Sequence, residues 1–262
     1  MDKRKFLKQI SLLGLTASPA IAHFEKLMTS VSHMESNELA SDEDFWEKIR
    51  GTYKLKPDYI NLENGYYCFM PEDTLEHFIN HVREVNYQGS YYMRTVRVEN
   101  KKKVVNKLAE MAGCGDDELI ITRNTTESLD TVIGGVHWEK GDHAVMANQD
   151  YGAMRNMFKL VEKRHGIELS TVDVPLHPKN DEEIVATYEA AITQRTKLIM
   201  VCHIVNVTGH ILPIRKICDM AHAKGVEVMV DGAHAFGHFN FSINDLDCDY
   251  YGTSPHQLLS VP

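Results

Sequence analysis

Short apolar runs alternate along the chain with segments whose apolar residues recur at helical spacing. The runs have the length of β-strands and are bounded by polar or turn-forming residues. The predicted strands are ELIIT at 118–122, HAVMAN at 143–148, ELSTVDV at 168–174, KLIMVCHI at 197–204 and VEVMVD at 226–231. This alternation predicts βαβ units and a mostly parallel sheet, and therefore an α/β fold.

Segments with helical spacing precede or connect these strands. Glycines follow three of them at the position where helices commonly end, and these are Gly113, Gly166 and Gly225. The predicted helices cover 100–112, 151–164, 182–193 and 214–224.

The first 22 residues have the pattern of an export signal. A basic head precedes a short apolar stretch, and small residues lead up to a cleavage position after Ala22. The apolar stretch is too short to span a bilayer. Lys3-Arg4 resembles a twin-arginine motif with Lys in place of the first Arg. We therefore expect a signal peptide over 1–22 and a periplasmic or exported protein, with an amphipathic N-terminal helix on a cytoplasmic protein as the alternative.

Residues 23–44 are polar and lack a sustained period, so they are expected to form a linker or arm, with the folded domain over 45–262. The formal net charge of -9 disfavours a nucleic-acid partner, because such proteins usually concentrate Lys and Arg on one face. No CxxC pair occurs, so neither a metal site nor a disulfide framework is expected. The cysteines fit small core side chains better, and they are Cys68, Cys114, Cys202, Cys218 and Cys248.

Two stretches carry groups suited to binding an anion or a cation. Thr125 and Thr126 follow a predicted strand and open a predicted helix, where exposed N–H groups and the helix dipole favour an anion. They would otherwise act as helix caps. Asp231 ends an apolar run at the expected carboxyl edge of a parallel strand, where open α/β sheets bind ligands. The alternatives are an Asp-Gly turn for Asp231 and a structural role for His234, three residues later.

The order and spacing of these segments resemble the class V, fold-type I enzymes that depend on pyridoxal phosphate (PLP). That family includes cysteine desulfurases and isopenicillin N epimerase-like proteins. The shared order is a phosphate turn, a stacking residue, an Asn loop, Asp-x-x-His and then Ser-x-His, here Ser254 and His256. The resemblance implies a three-layer αβα large domain with a mostly parallel sheet, an amino-acid substrate that reacts at Cα, and a homodimer.

The resemblance also implies roles for individual residues. Tyr151 would stack on the pyridine ring, and Asp231 would pair with the ring nitrogen and make the ring a better electron sink. Without the resemblance, Tyr151 would be read as rim packing and Asn206 as a turn residue. The remaining implied contacts are Thr125, Thr126, Ser254 and His256 to the cofactor, Asn206 to its phenolic oxygen, His234 to its phenolic oxygen or to the substrate, and Asn64 and Gly65 towards the substrate carboxylate.

One position departs from the family in a way that affects the chemistry. Gln257 stands where the family has the Lys that binds PLP as a Schiff base, and no Lys follows Lys224. An amide nitrogen is not a usable nucleophile, because its lone pair is delocalised into the carbonyl. PLP is therefore expected to bind noncovalently at best. The reaction at Cα also loses its usual base, and the adjacent His256 is not expected to replace it.

The chain also ends at Pro262, where family members continue into a small C-terminal domain, so we expect an incomplete large domain with impaired activity. The main alternative is a noncatalytic PLP-fold remnant or binding protein. A nucleotide-binding α/β domain is disfavoured, because neither the phosphate-loop motif nor the dinucleotide glycine motif is present in the sequence.

Overall fold

The computed structural model describes residues 26–65 and 68–258. Its Cα positions group into two compact units. The first unit comprises the described residues up to Met111, together with Gly115–Leu119 and the segment from Pro255. The second unit comprises Ala112–Cys114 and Ile120–Ser254. The expected signal peptide, 1–22, lies outside the described residues.

Helices make up the regular structure of the described part of the first unit. A helical turn over 26–30 is followed by α1 Ser36–Ala40, α2 Glu43–Arg50, α3 Glu72–Gln88, a π-helix Tyr92–Val96 and α4 Arg97–Ala112. The predicted helix at 100–112 is thereby confirmed within α4. The segment expected to be a linker contributes Leu39 of α1 and neighbouring residues to a small apolar cluster that contains the buried Phe45. The boundary between arm and domain stays a prediction.

A five-stranded parallel sheet forms the centre of the second unit, with strand order β2-β1-β3-β4-β5. Parallel neighbours need crossover connections, and helices provide most of them. In chain order the elements are α5 Thr125–Gly135, β1 His143–Ala147, α6 Gly152–His165, β2 Glu168–Val172, α7 Asp181–Glu189, β3 Thr196–Cys202, α8 Ile214–His222, β4 Glu227–Asp231, α9 Ile243–Leu246 and β5 Tyr250–Gly252. Helix α10, Pro255–Leu258, follows.

The sheet of the second unit is covered on both faces, which gives the three-layer arrangement. On one face, Val145, Ile199 and Val228 pack with residues of α7 and α8. Alternate residues, including Met146 and Met200, point to the other face and pack with α5 and α6. Burial on both faces explains why these strands read as nearly continuous apolar runs.

One predicted strand is wrong. Residues 118–122 are irregular, and Ile120 is 83% exposed. A strand needs a hydrogen-bonded neighbour, and none of the described strands pairs with this segment. The other predicted strands are confirmed as β1 to β4. The predicted helix ends at Gly166 and Gly225 are also confirmed, since both residues adopt positive φ angles.

The part of the chain that the structure describes contains no helix long and apolar enough to cross a membrane. Two of the cysteines, Cys202 and Cys218, are buried in the core of the second unit, as the sequence predicts.

Candidate functional site

The carboxyl ends of the central strands bring several candidate residues to one edge of the sheet. Asp231 is the last residue of β4, and its partners in register are Cys202 on β3 and Gly252 on β5. Ligands of open parallel sheets bind at this edge. The candidate site is therefore built around Asp231.

Asp231 is a buried carboxyl group, with 6% of the residue exposed. Its Oδ1 accepts a hydrogen bond from the N–H of Ala233 at 3.1 Å, which is the turn contact that the sequence left open as an alternative role. Burial raises its pKa to about 6. Oδ2 has no hydrogen-bond partner among the described residues. A cationic group placed beside that oxygen would offset the cost of burying the charge.

The start of α5 brings two residues together that are far apart in the sequence. The Ser254 hydroxyl accepts a hydrogen bond from the Thr125 N–H at 2.8 Å and lies 2.5 Å from the Thr125 hydroxyl. Both residues are buried. The sequence assigned Thr125 and Ser254 to one ligand, and the structure places them in direct contact.

The cap of α5 is Asn124, which the sequence reasoning missed. Its Oδ1 accepts a hydrogen bond from the Glu127 N–H at 2.9 Å, so neither Thr has the capping role considered as their alternative. The N–H of Thr126 has no acceptor among the described residues. Thr126 thus leaves a backbone donor at the positive end of the α5 dipole, where an anion is stabilised. An Asn directly before a Thr-Thr pair is a capping signal that the sequence did contain.

Tyr151 is the N-cap residue of α6. The residue is 38% exposed, so part of it is accessible to a ligand. The preceding Asp150 is 5% exposed, and its Oδ2 accepts a hydrogen bond from the Ala147 N–H at 2.7 Å. Burial raises the pKa of Asp150 to about 7. Asp150 was not predicted from the sequence. A carboxylate that closely follows a buried strand is nevertheless expected at the carboxyl edge of the sheet, as Asp231 is.

Asn206 lies in a tight loop between β3 and α8. The loop closes through hydrogen bonds from the N–H groups of Thr208 and Gly209 to the Val205 carbonyl, at 3.2 and 2.8 Å. Gly209 has a φ of +71°, a conformation that favours glycine. Asn206 is exposed, and the structure does not place it among the buried groups around Asp231.

His234 follows Asp231 in the turn after β4 and is half-buried. Its carbonyl oxygen accepts a hydrogen bond from His238 Nδ1. A different histidine, His203, directly follows β3 and is more deeply buried; its Nδ1 lies 3.0 Å from the Tyr251 hydroxyl. Burial lowers the pKa of His203 to about 4, so its ring is neutral at pH 7.

The remaining candidates belong to the first unit. Asn64 is exposed in an irregular segment, where its Oδ1 accepts a hydrogen bond from Asn61 Nδ2 at 2.7 Å, and Gly65 follows it. His256 and Gln257 are both half-buried on α10. The Gln257 Oε1 atom is buried and has no hydrogen-bond partner among the described residues.

Comparison with known proteins identifies the family. Residues 72–261 match the aminotransferase class V family. The chain belongs to the aminotransferase class V family. It is 30% identical over 217 residues to isopenicillin N epimerase of Streptomyces clavuligerus, covering 83% of this chain and 54% of that protein. It is also 30% identical over 227 residues to cysteine desulfurase of Salmonella gallinarum, covering 81% of this chain and 55% of the relative. The chain thus spans about half the length of these curated relatives.

Solved structures show the same fold. The cysteine desulfurase CsdA from Escherichia coli superposes with a TM-score of 0.66 at 22% identity, covering 81% of this chain and 55% of that chain. A lysine-to-alanine mutant of C-DES, with glycine covalently linked to the PLP cofactor, gives a TM-score of 0.69 at 20% identity, covering 79% and 55%. The second unit therefore has the fold of the large domain of PLP-dependent transferases.

The residues of the second unit fit the ring nitrogen and the phosphate of PLP. Asp231 is a buried residue whose Oδ2 atom has no hydrogen-bond partner among the described residues, which suits a protonated ring nitrogen. The start of α5 offers the Thr126 N–H and neighbouring hydroxyls, which suit a phosphate.

Proposed function

We propose that this class V chain binds PLP noncovalently and is part of an enzyme that acts on an amino acid at Cα, as an epimerase or a transaminase. The observation that carries the proposal is Asp231, a buried strand-end carboxyl with one oxygen free of described partners. Burying a carboxylate without a compensating cation is costly, so such a group favours a site for a cationic ligand.

In this proposal, different residues of the chain bind different parts of PLP. Asp231 holds a proton at the ring nitrogen, and Tyr151 packs on the ring face. Thr125, Thr126 and Ser254 bind the phosphate, while Asn206 and His234 approach the phenolic oxygen. PLP, when bound, supplies an electron sink for the negative charge that develops at Cα.

Gln257 impairs the reaction in this proposal. It removes both the covalent anchor and the usual base for the proton at Cα. His234 is the remaining candidate acid–base group, because His256 is not expected to replace the lysine. The C-DES mutant mentioned above shows that a protein of this fold with one lysine replaced by alanine holds PLP with linked glycine. Loss of a lysine is therefore compatible with a cofactor in this fold.

A noncatalytic PLP-fold remnant or binding protein is the second candidate function. The same Gln257 favours it, because an amide nitrogen cannot form a Schiff base with PLP. The two candidates share the cofactor site and differ only in turnover.

A spectrum of the purified protein with added PLP, followed by borohydride reduction and intact mass, tests the cofactor assignment. We expect an absorbance shift without a stable adduct on α10. The Gln257→Lys variant should gain a reducible adduct that peptide mapping places on the introduced lysine. Gln194→Lys, at an exposed position, is the matched control for adventitious reaction. No spectral change in folded protein would contradict PLP binding, and equal labelling of both variants would contradict the assignment of position 257.

Turnover separates the two candidate functions. Wild type and Gln257→Lys are incubated with PLP and a panel of L-amino acids in deuterated water, and deuterium incorporation at Cα is followed by NMR. Incorporation by the wild type supports an impaired enzyme. Incorporation only by Gln257→Lys supports the noncatalytic candidate.

We also propose that the protein is exported through the segment 1–22. Cell fractionation of the full chain tests this, and N-terminal sequencing of the exported form should begin at His23. A cytoplasmic protein that retains Met1 would contradict export.

A further inference from the structure

Two side chains meet across the end of β4, the strand that carries Asp231. Strand β4 lies between β3 and β5, and the two side chains come from those flanking strands. His203 directly follows β3, and Tyr251 is the middle residue of β5. The His203 Nδ1 atom and the Tyr251 hydroxyl form a hydrogen bond of 3.0 Å. This His203–Tyr251 pair has no role in the proposed function as described so far.

The Tyr251 ring packs directly on Gly232, the residue after Asp231. A Cβ atom at position 232 would overlap the phenol end of the ring, so glycine is needed for the ring to lie there. Two hydrogen bonds hold Gly232 from the β5 side: its N–H donates to the Gly252 carbonyl at 2.7 Å, and the Thr253 hydroxyl donates to its carbonyl at 3.0 Å. Tyr251 thus packs against the backbone of the turn that leads out of β4.

His203 contacts the same turn through its backbone, because its N–H donates to the Asp231 carbonyl at 2.8 Å. Its ring meets three aromatic rings at edge-to-face angles, with centroid distances of 5.2 Å to Phe239, 4.7 Å to Phe241 and 5.9 Å to Tyr251. Burial lowers the pKa of His203 to about 4, so the ring is neutral at pH 7 and brings no positive charge to Asp231. Its contribution there is therefore one of position.

The orientation of the Asp231 carboxyl depends on this turn. Asp231 Oδ1 accepts a hydrogen bond from the Ala233 N–H at 3.1 Å, so the side chain is oriented by the backbone two residues later. Gly232 connects these two residues, and a rotation of its backbone would move the Ala233 N–H relative to the carboxyl. Since glycine has the widest backbone freedom of any residue, the turn needs outside contacts to hold one conformation.

We propose that the His203–Tyr251 pair positions Asp231: the hydrogen bond holds the Tyr251 ring on Gly232 and so fixes the turn that orients the Asp231 carboxyl. His203 and Tyr251 are positioning residues, because they act through Asp231. The orientation of Asp231 towards a ring nitrogen rests on the proposed PLP function. The coupling between the pair and the turn does not, and it is measurable in the protein without PLP.

Amide hydrogen exchange of the protein without PLP tests the coupling. Tyr251→Phe keeps the ring and removes only its hydroxyl. We expect the Ala233 N–H to exchange roughly 3- to 10-fold faster, the effect of losing one neutral hydrogen bond, because the turn opens locally once the ring is not held. Tyr250→Phe is the matched control, since Tyr250 packs on the opposite face of β5 and its hydroxyl lies 3.4 Å from Glu227 Oε2. It should leave the exchange of Ala233 unchanged.

His203→Phe removes the other half of the hydrogen bond and keeps an aromatic ring. It should raise the exchange rate of Ala233 by a similar factor. The double variant should be no faster than either single variant, because only one hydrogen bond is lost. Additive effects, an unchanged rate in Tyr251→Phe, or an equal rise in Tyr250→Phe would each overturn the proposal. If one of the two single variants does not fold, the other decides it.

Cofactor binding adds a readout that a general loss of stability would not move. In deaza-PLP a carbon replaces the ring nitrogen, so its binding cannot use a contact between that nitrogen and Asp231. Tyr251→Phe should reduce the preference for PLP over deaza-PLP by roughly 3- to 10-fold, whereas Tyr250→Phe should preserve it. A wild-type preference that Tyr251→Phe leaves intact would overturn the positioning role. Absence of PLP binding by the wild type would overturn only the proposed function, and hydrogen exchange would still decide the positioning.

Discussion

Asp231 is the side chain on which PLP binding is expected to depend most. Hydrogen bonds to charged groups contribute about 1.5–3 kcal/mol, so Asp231→Asn should weaken PLP binding by roughly 10- to 100-fold. Absorbance titration with PLP measures the change. The exposed Asp173→Asn serves as the control, because it removes a carboxylate outside the candidate site. Equal affinities for the wild type and Asp231→Asn would show that Asp231 does not face the ring nitrogen.

Ser254 makes a different kind of contribution, because its hydroxyl satisfies a buried backbone group. Ser254→Ala leaves the Thr125 N–H without its acceptor, so the free energy of unfolding should fall by about 1–3 kcal/mol. Urea denaturation measures this loss. Ser242→Ala is the comparison: Ser242 donates to the Gly113 carbonyl at 2.9 Å, and its loss should not affect PLP binding. If Ser254→Ala leaves the affinity for PLP unchanged, as Ser242→Ala is expected to do, Ser254 does not contact PLP.

At the scale of elements, α5 and α7 provide a matched pair of capped helices. Asn124 caps α5 and Asn180 caps α7, each through an Oδ1 atom that accepts from the N–H three residues later, at 2.9 and 3.0 Å. Replacing either Asn with Ala should cost about 1 kcal/mol of stability. Only Asn124→Ala should also weaken PLP binding, because α5 supplies the phosphate donors. If both variants weaken PLP equally, the effect reflects general destabilisation and not the start of α5.

The elements also show what the sequence predicts and what it leaves out. Buried parallel strands such as β3 read as continuous apolar runs, so they were predictable from sequence pattern. Strand β5 was not, because three residues of Tyr and Gly carry too little pattern. The error at 118–122 has the opposite cause: the apolar pattern is present, but pairing depends on a neighbour that pattern alone does not reveal. For the site, motif order predicted Asp231, whereas the contact of Thr125 with Ser254 depends on a return of the chain over 129 residues.

Across the second unit, apolar packing and polar groups occupy different parts of one sheet. Both faces are filled by apolar side chains that hold α5, α6, α7 and α8 in place. Most of the buried polar groups, by contrast, lie at the ends of the strands: Asp150, His203 and Asp231 at the carboxyl ends, and Asp142, His143 and Thr196 at the amino ends. Apolar packing therefore fixes the positions of Asp150 and Asp231 even though their burial is unfavourable. This explains how the fold can keep two buried carboxyls at one edge, although a backbone hydrogen bond to each offsets only part of the cost of burial.

For the whole molecule we propose a homodimer, supported by apolar side chains in the first unit that are exposed to solvent. Phe78 and Val82 lie one turn apart on α3 and are therefore on one face of that helix. Further exposed apolar residues continue through the π-helix into α4, and they are Tyr87, Tyr91, Met93 and Val98. Exposed apolar surface of this kind favours contact with a protein partner. In a two-fold symmetric dimer, each copy of the chain covers this surface on the other.

Sedimentation equilibrium of the full chain tests the dimer. We expect a mass of twice the chain at micromolar concentration, and we expect Phe78→Glu combined with Val82→Glu to give a monomer, because two buried charges would oppose pairing. Leu176→Glu adds a charge at an exposed apolar position in the second unit and should leave the dimer intact. A monomeric wild type would contradict pairing altogether. Dissociation by Leu176→Glu but not by the α3 variant would place the interface on the second unit.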